Sequence, residues 1–312
     1  MGVKLLDEHY LVISAFVVAA YQLIYFFTAL VFRLERMKIA VGSINFILLA
    51  LLTFVISQTY YTRQIIAFAL VTLWGLRAAG DQIFRVIHSL QVEDESTVKC
   101  FSLFSYTCLQ IIWVWAVSLP STILNSPAVS KSNPTFGSVT DILGLTFWIL
   151  GFTIRAIADY QRNRHCSQRF SQLDILKSGL WSYSRHPNYF GEILTWWGMF
   201  LLCLQPTLST GLTISWISVL SPITVLVVLF FVTGLLHREK PTQQKFYESP
   251  EFSAYKDYLD RTSLIVPIPG YIYIKFPLWV KSVFFFEWPI FRYAPAWKTS
   301  YVGHKIGSME EL

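Results

Sequence analysis

Long apolar runs alternate with short polar ones along most of the chain. Stretches of about 20 apolar residues, the length that crosses hydrocarbon at 1.5 Å rise per residue, lie at 10–32, 39–58, 64–87, 101–123, 138–158, 189–205 and 208–236. The pattern predicts an all-α integral membrane protein with about seven transmembrane helices. The sixth run is short, and its connection to the seventh, around Gln205-Pro206, is expected to be tight. The first run is too long for a signal-peptide core and lacks a small-residue cleavage site, so it is expected to be a retained span. The seven runs define a membrane domain over residues 1–236.

The pattern then changes. Residues 237–270, "HREKPTQQKFYESPEFSAYKDYLDRTSLIVPIPG", are polar, with one short amphipathic helix expected around Phe252–Leu259 and a stop at Pro267 and Pro269. Residues 271–312 form an aromatic tail broken by Pro277, Pro289 and Pro295. Prolines break helices and aromatic side chains favour the headgroup region. The tail is therefore expected at the interface or on the cytosolic face, not across the bilayer.

Composition agrees: 54% of residues are hydrophobic, 14% are charged and mean hydropathy is +0.47, whereas soluble domains carry about 25% charged residues. The net charge of +6 is a topology signal. Arg33, Arg36 and Lys38, then Arg85 and Lys99, then Arg162, Arg164, Arg169, Lys177 and Arg185, then Arg238, Lys240, Lys245, Lys256 and Arg261 fall in one set of alternate loops. The opposite set holds Lys4, Arg63 and Lys131. By the positive-inside rule the first set is cytosolic, the C-terminus with it, and the N-terminus is lumenal or outside. Nucleic-acid binding is not needed to explain the charge. The four cysteines have no CxxC pairing or zinc-like His spacing, so no metal site or disulfide framework is indicated.

Ionisable residues inside spans each cost about 2.5–3.5 kcal/mol at the bilayer centre on insertion scales and ask for a partner or a function. In the third span Arg77, Asp81 and Arg85 recur every four residues and share a helix face. Arg155 and Asp159 repeat that spacing in the fifth, followed by Arg162 and Asn163; Asn188 and Glu192 repeat it in the sixth, with Thr195 beside them. The orientation above puts all three stripes in the cytosolic half of the membrane, which implies a polar cavity opening to the cytosol. Its rim, "DYQRNRHCSQRF" and "KSGLWSYSRHP", is rich in arginine, which suits phosphates. No GxGxxG or Walker sequence is present, so a phosphate-bearing cofactor would be held by the membrane domain itself. Pro187 suits a first helical turn, so Glu192 sits near the positive end of the sixth helix.

The segments "SRHPNYFGEILTWWG", "RAIADYQ", "WGLRAAGDQIFR", "VWAVSLP" and "LLHRE … EFSAYKDYLDRTSLIVPIPG" resemble the 3-oxo-5α-steroid 4-dehydrogenase (steroid 5α-reductase) family, in its uncharacterised membrane-protein branch, over about residues 70–270. The signature is shared with sterol C14 and C7 reductases and isoprenylcysteine carboxyl methyltransferases. The resemblance implies seven helices, NADPH bound from the cytosolic side and hydride delivery to a lipidic enone in the endoplasmic reticulum; a bacterial inner membrane satisfies the same topology. It places Asn188 and Glu192 at the nicotinamide end. Asp159, Asn163, Arg164, Tyr183 and Arg185 line the adenosine and phosphate end, with Arg155, His186 and Tyr189 beside them, and His237 and Arg238 contribute from a 237–270 segment that caps the cofactor. The family's substrate-polarising Glu on the second helix and Tyr on the third have no counterpart here. A protonated Asp81, or a tyrosine such as Tyr21 or Tyr25, would have to donate in their place. The expected partners are a lipidic small-molecule substrate and membrane lipids. The runner-up readings are an S-adenosylmethionine-dependent lipid or isoprenylcysteine-type methyltransferase and a non-enzymatic protein that keeps the fold. Trp74, Trp113, Trp115, Trp196 and Trp197 are expected to be packing or interface anchors, and the acidic Glu93, Asp94 and Glu95 a solvated loop.

Overall fold

The computed structural model describes residues 6–88, 100–130, 134–168, 175–211, 213–232 and 234–293. Lys4, Lys99, Lys131, Arg169, Pro295 and the acidic 93–95 run lie outside them. The described residues are mostly helical and contain no strand; Ser184 and Ser263 form an isolated bridge. Five helical stretches among the described residues, Leu11–Phe32, Lys38–Ser57, Cys100–Ser130, Val139–Ser167 and Trp216–Tyr247, are long and apolar enough to cross a membrane. The protein is therefore a multi-pass membrane protein. Thr62–Ile87 and Pro187–Thr210 have spanning length, but their polar residues keep them out of that set.

Two compact units form, Met1–Gln168 with Asn188–Leu226, and Arg169–Pro187 with Val227–Leu312. The first contains α1 (Leu11–Phe32), α2 (Lys38–Ser57), α3 (Thr62–Ile87), α4 (Cys100–Asn125), α5 (Val139–Ser167) and, but for one terminal residue each, α6 (Pro187–Thr210) and α7 (Leu220–Val227). The second contains α8 (Leu235–Tyr247), α9 (Phe252–Arg261) and α10 (Leu278–Phe284).

Several boundaries depart from the hydropathy pattern. The fifth apolar run is expected to stop at 158, yet α5 continues to Ser167. Asp159 pairs with Arg155 one turn back and with Arg162 three residues on, so the polar extension satisfies itself along the helix. At about 43 Å, α5 outreaches the hydrocarbon core. The sixth helix passes through Pro206 to Thr210, and the turn falls at Gly211, whose φ of +64° suits glycine. The seventh run is not one α-helix. A 3-10 segment, Thr213–Val219, leads into α7, a π turn follows at Val228–Val232, and α8 begins after Gly234. The amphipathic helix expected at 252–259 is α9, Phe252–Arg261.

The first unit is organised by backbone contact between α5 and α6. A Cβ on Gly144 would stand 2.5 Å from Leu202 N, and one on Gly198 2.5 Å from Trp148 N. One heptad on, a Cβ on Gly151 would stand 2.5 Å from Thr195 N and one on Gly191 2.6 Å from the Gly151 carbonyl. The numbers rise on one helix as they fall on the other, so the pair is antiparallel. Small residues let helices approach where lipid offers no hydrophobic drive. Across from this seam, α3 runs parallel to α5: Arg63 meets Asp141, Arg77 meets Asp159, and Asp81 meets Asn163. The Arg63 guanidinium is fully buried and satisfied by both Asp141 oxygens at 2.7 Å and by the Pro134 and Thr135 carbonyls.

Gly191→Ala therefore forces the helices apart. We expect it to destabilise the purified protein by about 1–3 kcal/mol, the usual cost of overpacking. Gly80→Ala, where an added Cβ meets nothing within 4 Å, should be neutral or stabilising by up to about 1 kcal/mol. Thermal unfolding in detergent checks both; equal effects would refute the seam.

Candidate functional site

Three helices of the first unit bring their polar stripes together. The glycine seam sets the registry, because the Cβ that Gly191 lacks would stand 2.7 Å from Arg155 N. Arg155 on α5 consequently meets Glu192 on α6 in a direct ion pair. Glu192 is buried, and its carboxylate also accepts from the Trp74 indole at 3.2 Å and the Trp196 indole at 3.0 Å. One turn further along α5, Asp159 faces Arg77 at 3.0 Å, Arg162 at 3.0 Å and Arg155 Nε at 3.5 Å. Another turn on, Asn163 donates to Asp81 at 2.6 Å, and Arg85 pairs with the other Asp81 oxygen.

Glu192 and Asp81 are thus met at both oxygens, whereas Asp159 Oδ1 has its ion pair with Arg162 but no hydrogen bond, and several arginine nitrogens also lack one. Arg77 Nε and Nη2 are buried and make no hydrogen bond, and Asn188 Oδ1 is buried without a donor. The Arg77 guanidinium rides 5.8 Å over the Phe152 ring and lines a cavity of about 570 Å³, with Asp81, Asp159, Tyr160, Asn163 and the exposed Arg164 on the same wall. Orphaned guanidinium nitrogens beside a cavity are anion donors in waiting.

Within the second unit, Ser184 and Arg185 are strapped to the 263–268 segment: Arg185 N donates to Ser263 O at 2.8 Å, Ser184 Oγ to Ile265 O at 2.7 Å and Ile268 N to Tyr183 O at 3.2 Å. The strap delivers the Arg185 guanidinium into a buried acidic pair. It donates to Glu239 at 2.8 Å and pairs with Glu287. His186 Nε2 meets the other Glu239 oxygen at 2.7 Å, and Tyr273 donates to Glu287 at 2.9 Å. Burial on its own would lower the Arg185 guanidinium; Glu239 and then Glu287 outweigh it and hold the group above its ordinary value. Burial, followed by the Glu287 charge, pushes the Tyr273 hydroxyl above the usual phenol range, so it remains a donor.

The residues expected at the site fall into these two groups. The first unit unites Arg155, Asp159 and Glu192, joins Asp81 to Asn163, and holds Asn188 and Tyr189 buried. Tyr183, Arg185, His186, His237 and Arg238 belong to the second unit, where Tyr183, His237 and Arg238 are exposed. Neither Tyr21 nor Tyr25 lines the 570 Å³ cavity, and the Tyr25 hydroxyl donates to the Leu34 carbonyl. Trp74 and Trp196 pack against Phe46, with centroids 4.9 and 5.5 Å away, yet they are also the indole donors to Glu192. The four-residue spacing of Glu192 and Trp196 was the sequence signal for one of them. Glu239 and Gln243, another such pair, carried the same signal on α8, where Gln243 donates to Glu239 at 2.8 Å.

A multi-pass helical protein with charged stripes converging on a cavity is the class these observations define. Residues 25–259 match a family model described as a protein of unknown function, DUF1295. The match covers most of the chain, which belongs to that family. No curated protein and no solved structure matches it.

Asp159→Asn leaves Arg77, Arg155 and Arg162 facing one another without their counter-charge. We expect it to cost about 3–5 kcal/mol, as for one partner removed from a buried ion pair. Trp196→Phe, which removes one N–H from Glu192 and keeps a ring, should cost about 1–3 kcal/mol. Thermal unfolding of both variants checks the ranking.

Proposed function

We propose that this protein is an NADPH-dependent reductase of a carbon–carbon double bond in a lipidic, enone-like substrate, with the first unit's polar cluster as its active site. The observation that carries the reading is the arginine at the 570 Å³ cavity: Arg77, two of whose nitrogens make no hydrogen bond, and the exposed Arg164. These donors fit a phosphate-bearing dinucleotide, and the cavity lies in the size range of small-molecule sites. The resemblance to steroid 5α-reductases supports the same reading. It also implies that α3 and α6 complete a set of seven spans, with the cluster facing the cytosol as the Lys and Arg distribution requires.

On this reading Arg77 and Arg164 bind phosphate, and the buried Asn188 supplies an amide for a carboxamide. Glu192, held by Arg155, Trp74 and Trp196, orients the reacting ring, and its three donors leave it little freedom to move. When bound, the dinucleotide supplies a hydride; the double bond takes it on one carbon and a proton on the other. Asp81 acts as acceptor from Arg85 and Asn163. Tyr160, the tyrosine among the cavity-lining residues, is the proton donor.

Purified protein titrated with NADPH should be stabilised by about 2.7 kcal/mol at 100 times the dissociation constant, and S-adenosylmethionine should do nothing. The reverse would make it a methyltransferase, and silence from both a non-enzymatic member of the fold. Tyr160→Phe should lower turnover at least tenfold while leaving NADPH stabilisation intact; equal loss of both would remove the tyrosine from proton transfer.

A further inference from the structure

The second unit contains a cavity that the reductase reading does not use. It encloses about 360 Å³ between α9, α10 and the tail, and its walls carry four basic side chains, Arg185, Lys256, Lys281 and Arg292, against two acidic ones, Asp260 and Glu287. Glu287 is already neutralised: it accepts from Tyr273, pairs with Arg185 and has Arg292 at 3.6 Å. With Asp260 and both carboxylate partners of Arg185, Glu239 and Glu287, set against the four cations, the wall keeps a net positive charge. The Arg185 side chain is 6% exposed, and its Nε, buried, makes no hydrogen bond. Lys281 lies 4.3 Å over the Tyr273 ring.

The same walls run into a greasy surface. Leu278 lines the cavity and is 66% exposed; Trp279, Val283 and Phe284, on the same short helix, are 67%, 63% and 61% exposed. This surface is tied to the end of an apolar membrane helix within the unit. Phe230, in the π turn that ends the run, packs against Phe286, Trp288 and Phe291 of the tail at 5.1–6.1 Å, and Phe231 stacks on Trp288. A tail anchored there meets the bilayer edge, where aromatic residues and lysines gather.

We propose that the 360 Å³ cavity binds the phosphate of an anionic phospholipid headgroup, with Lys256, Lys281, Arg292 and the free Arg185 Nε as its donors and with α10 seated among the acyl chains. The reading is independent of the reductase proposal and goes beyond it.

The test uses the full chain in detergent and a fluorescent short-chain phosphatidic acid, read by anisotropy. Binding should weaken about fivefold for each lysine removed in Lys256→Ala and Lys281→Ala, and more in the double variant, with the unfolding temperature unchanged. Should the double variant misfold, Lys281→Gln alone carries the test. Diacylglycerol should not compete. Undiminished binding by the lysine variants overturns the site. Competition by glycerol 3-phosphate equal to that by the lipid overturns the membrane source in favour of a soluble phosphate ester. Displacement by NADPH would make the cavity a nucleotide site and overturn the lipid reading, whereas NADPH failing to bind anywhere would sink the reductase proposal and leave this one standing.

Discussion

The contact between α5 and α6 fixes the rest of the first unit. In hydrocarbon, two helices gain nothing by hiding apolar surface from water, so their association rests on close packing. Gly144, Gly151, Gly191 and Gly198 remove the side chains that would hold the backbones apart. The resulting registry leaves Arg155 opposite Glu192, and the remaining polar contacts follow by helical periodicity: Asp159 lies one turn beyond Arg155 and Asn163 one turn beyond that.

Charge then clamps α3 to this pair at two levels. Arg63 and Asp141 close one level with a satisfied, fully buried pair. Arg77 and Asp159 close the other, 14 residues or about 21 Å further along α3. The two levels differ in kind. At the first, the guanidinium spends its donors on Asp141 and two carbonyls, as a structural clamp does. At the second, three arginines crowd one aspartate and donors are left over beside a cavity. Burying such a surplus costs several kcal/mol per ion unless something meets it, and this imbalance separates a binding site from a staple. The second unit shows a different balance around Arg185, whose two terminal nitrogens are shared by Glu239 and Glu287 while Nε makes no hydrogen bond.

Much of this was legible in the chain. Hydropathy locates the apolar helices, five of them long and apolar enough to cross a membrane among the described residues, and the four-residue spacings in α3, α5 and α6 mark the faces that converge. What hydropathy cannot give is where a helix stops once its own side chains pair along it, so α5 runs nine residues past its apolar run. Nor does an apolar run reveal a π turn and a break, since Val228–Val232 and Gly234 are as greasy or as small as their surroundings. The pairing of Arg63 with Asp141 was hidden because 78 residues separate them, and each, taken singly, is a charge near a helix end. Trp74 and Trp196 were read as anchors because indole rings pack wherever they lie; that their N–H groups meet one carboxylate is a fact of three-dimensional registry. Glu287 escaped because the tail offers no period by which to pair it with the RHPNY segment.

On the proposed reading, the arginine donors at the cavity serve hydride transfer to a lipid. The most direct measurement follows isotope: membranes containing the protein are incubated with NADPH deuterated at the nicotinamide C4, and the extracted lipids are examined by mass spectrometry. Deuterium is expected on a reduced lipid carbon with the native protein and is expected to be lost in Glu192→Gln. Lipids equally unlabelled with the native protein and with the variant, under conditions where NADPH binds, would contradict that reading.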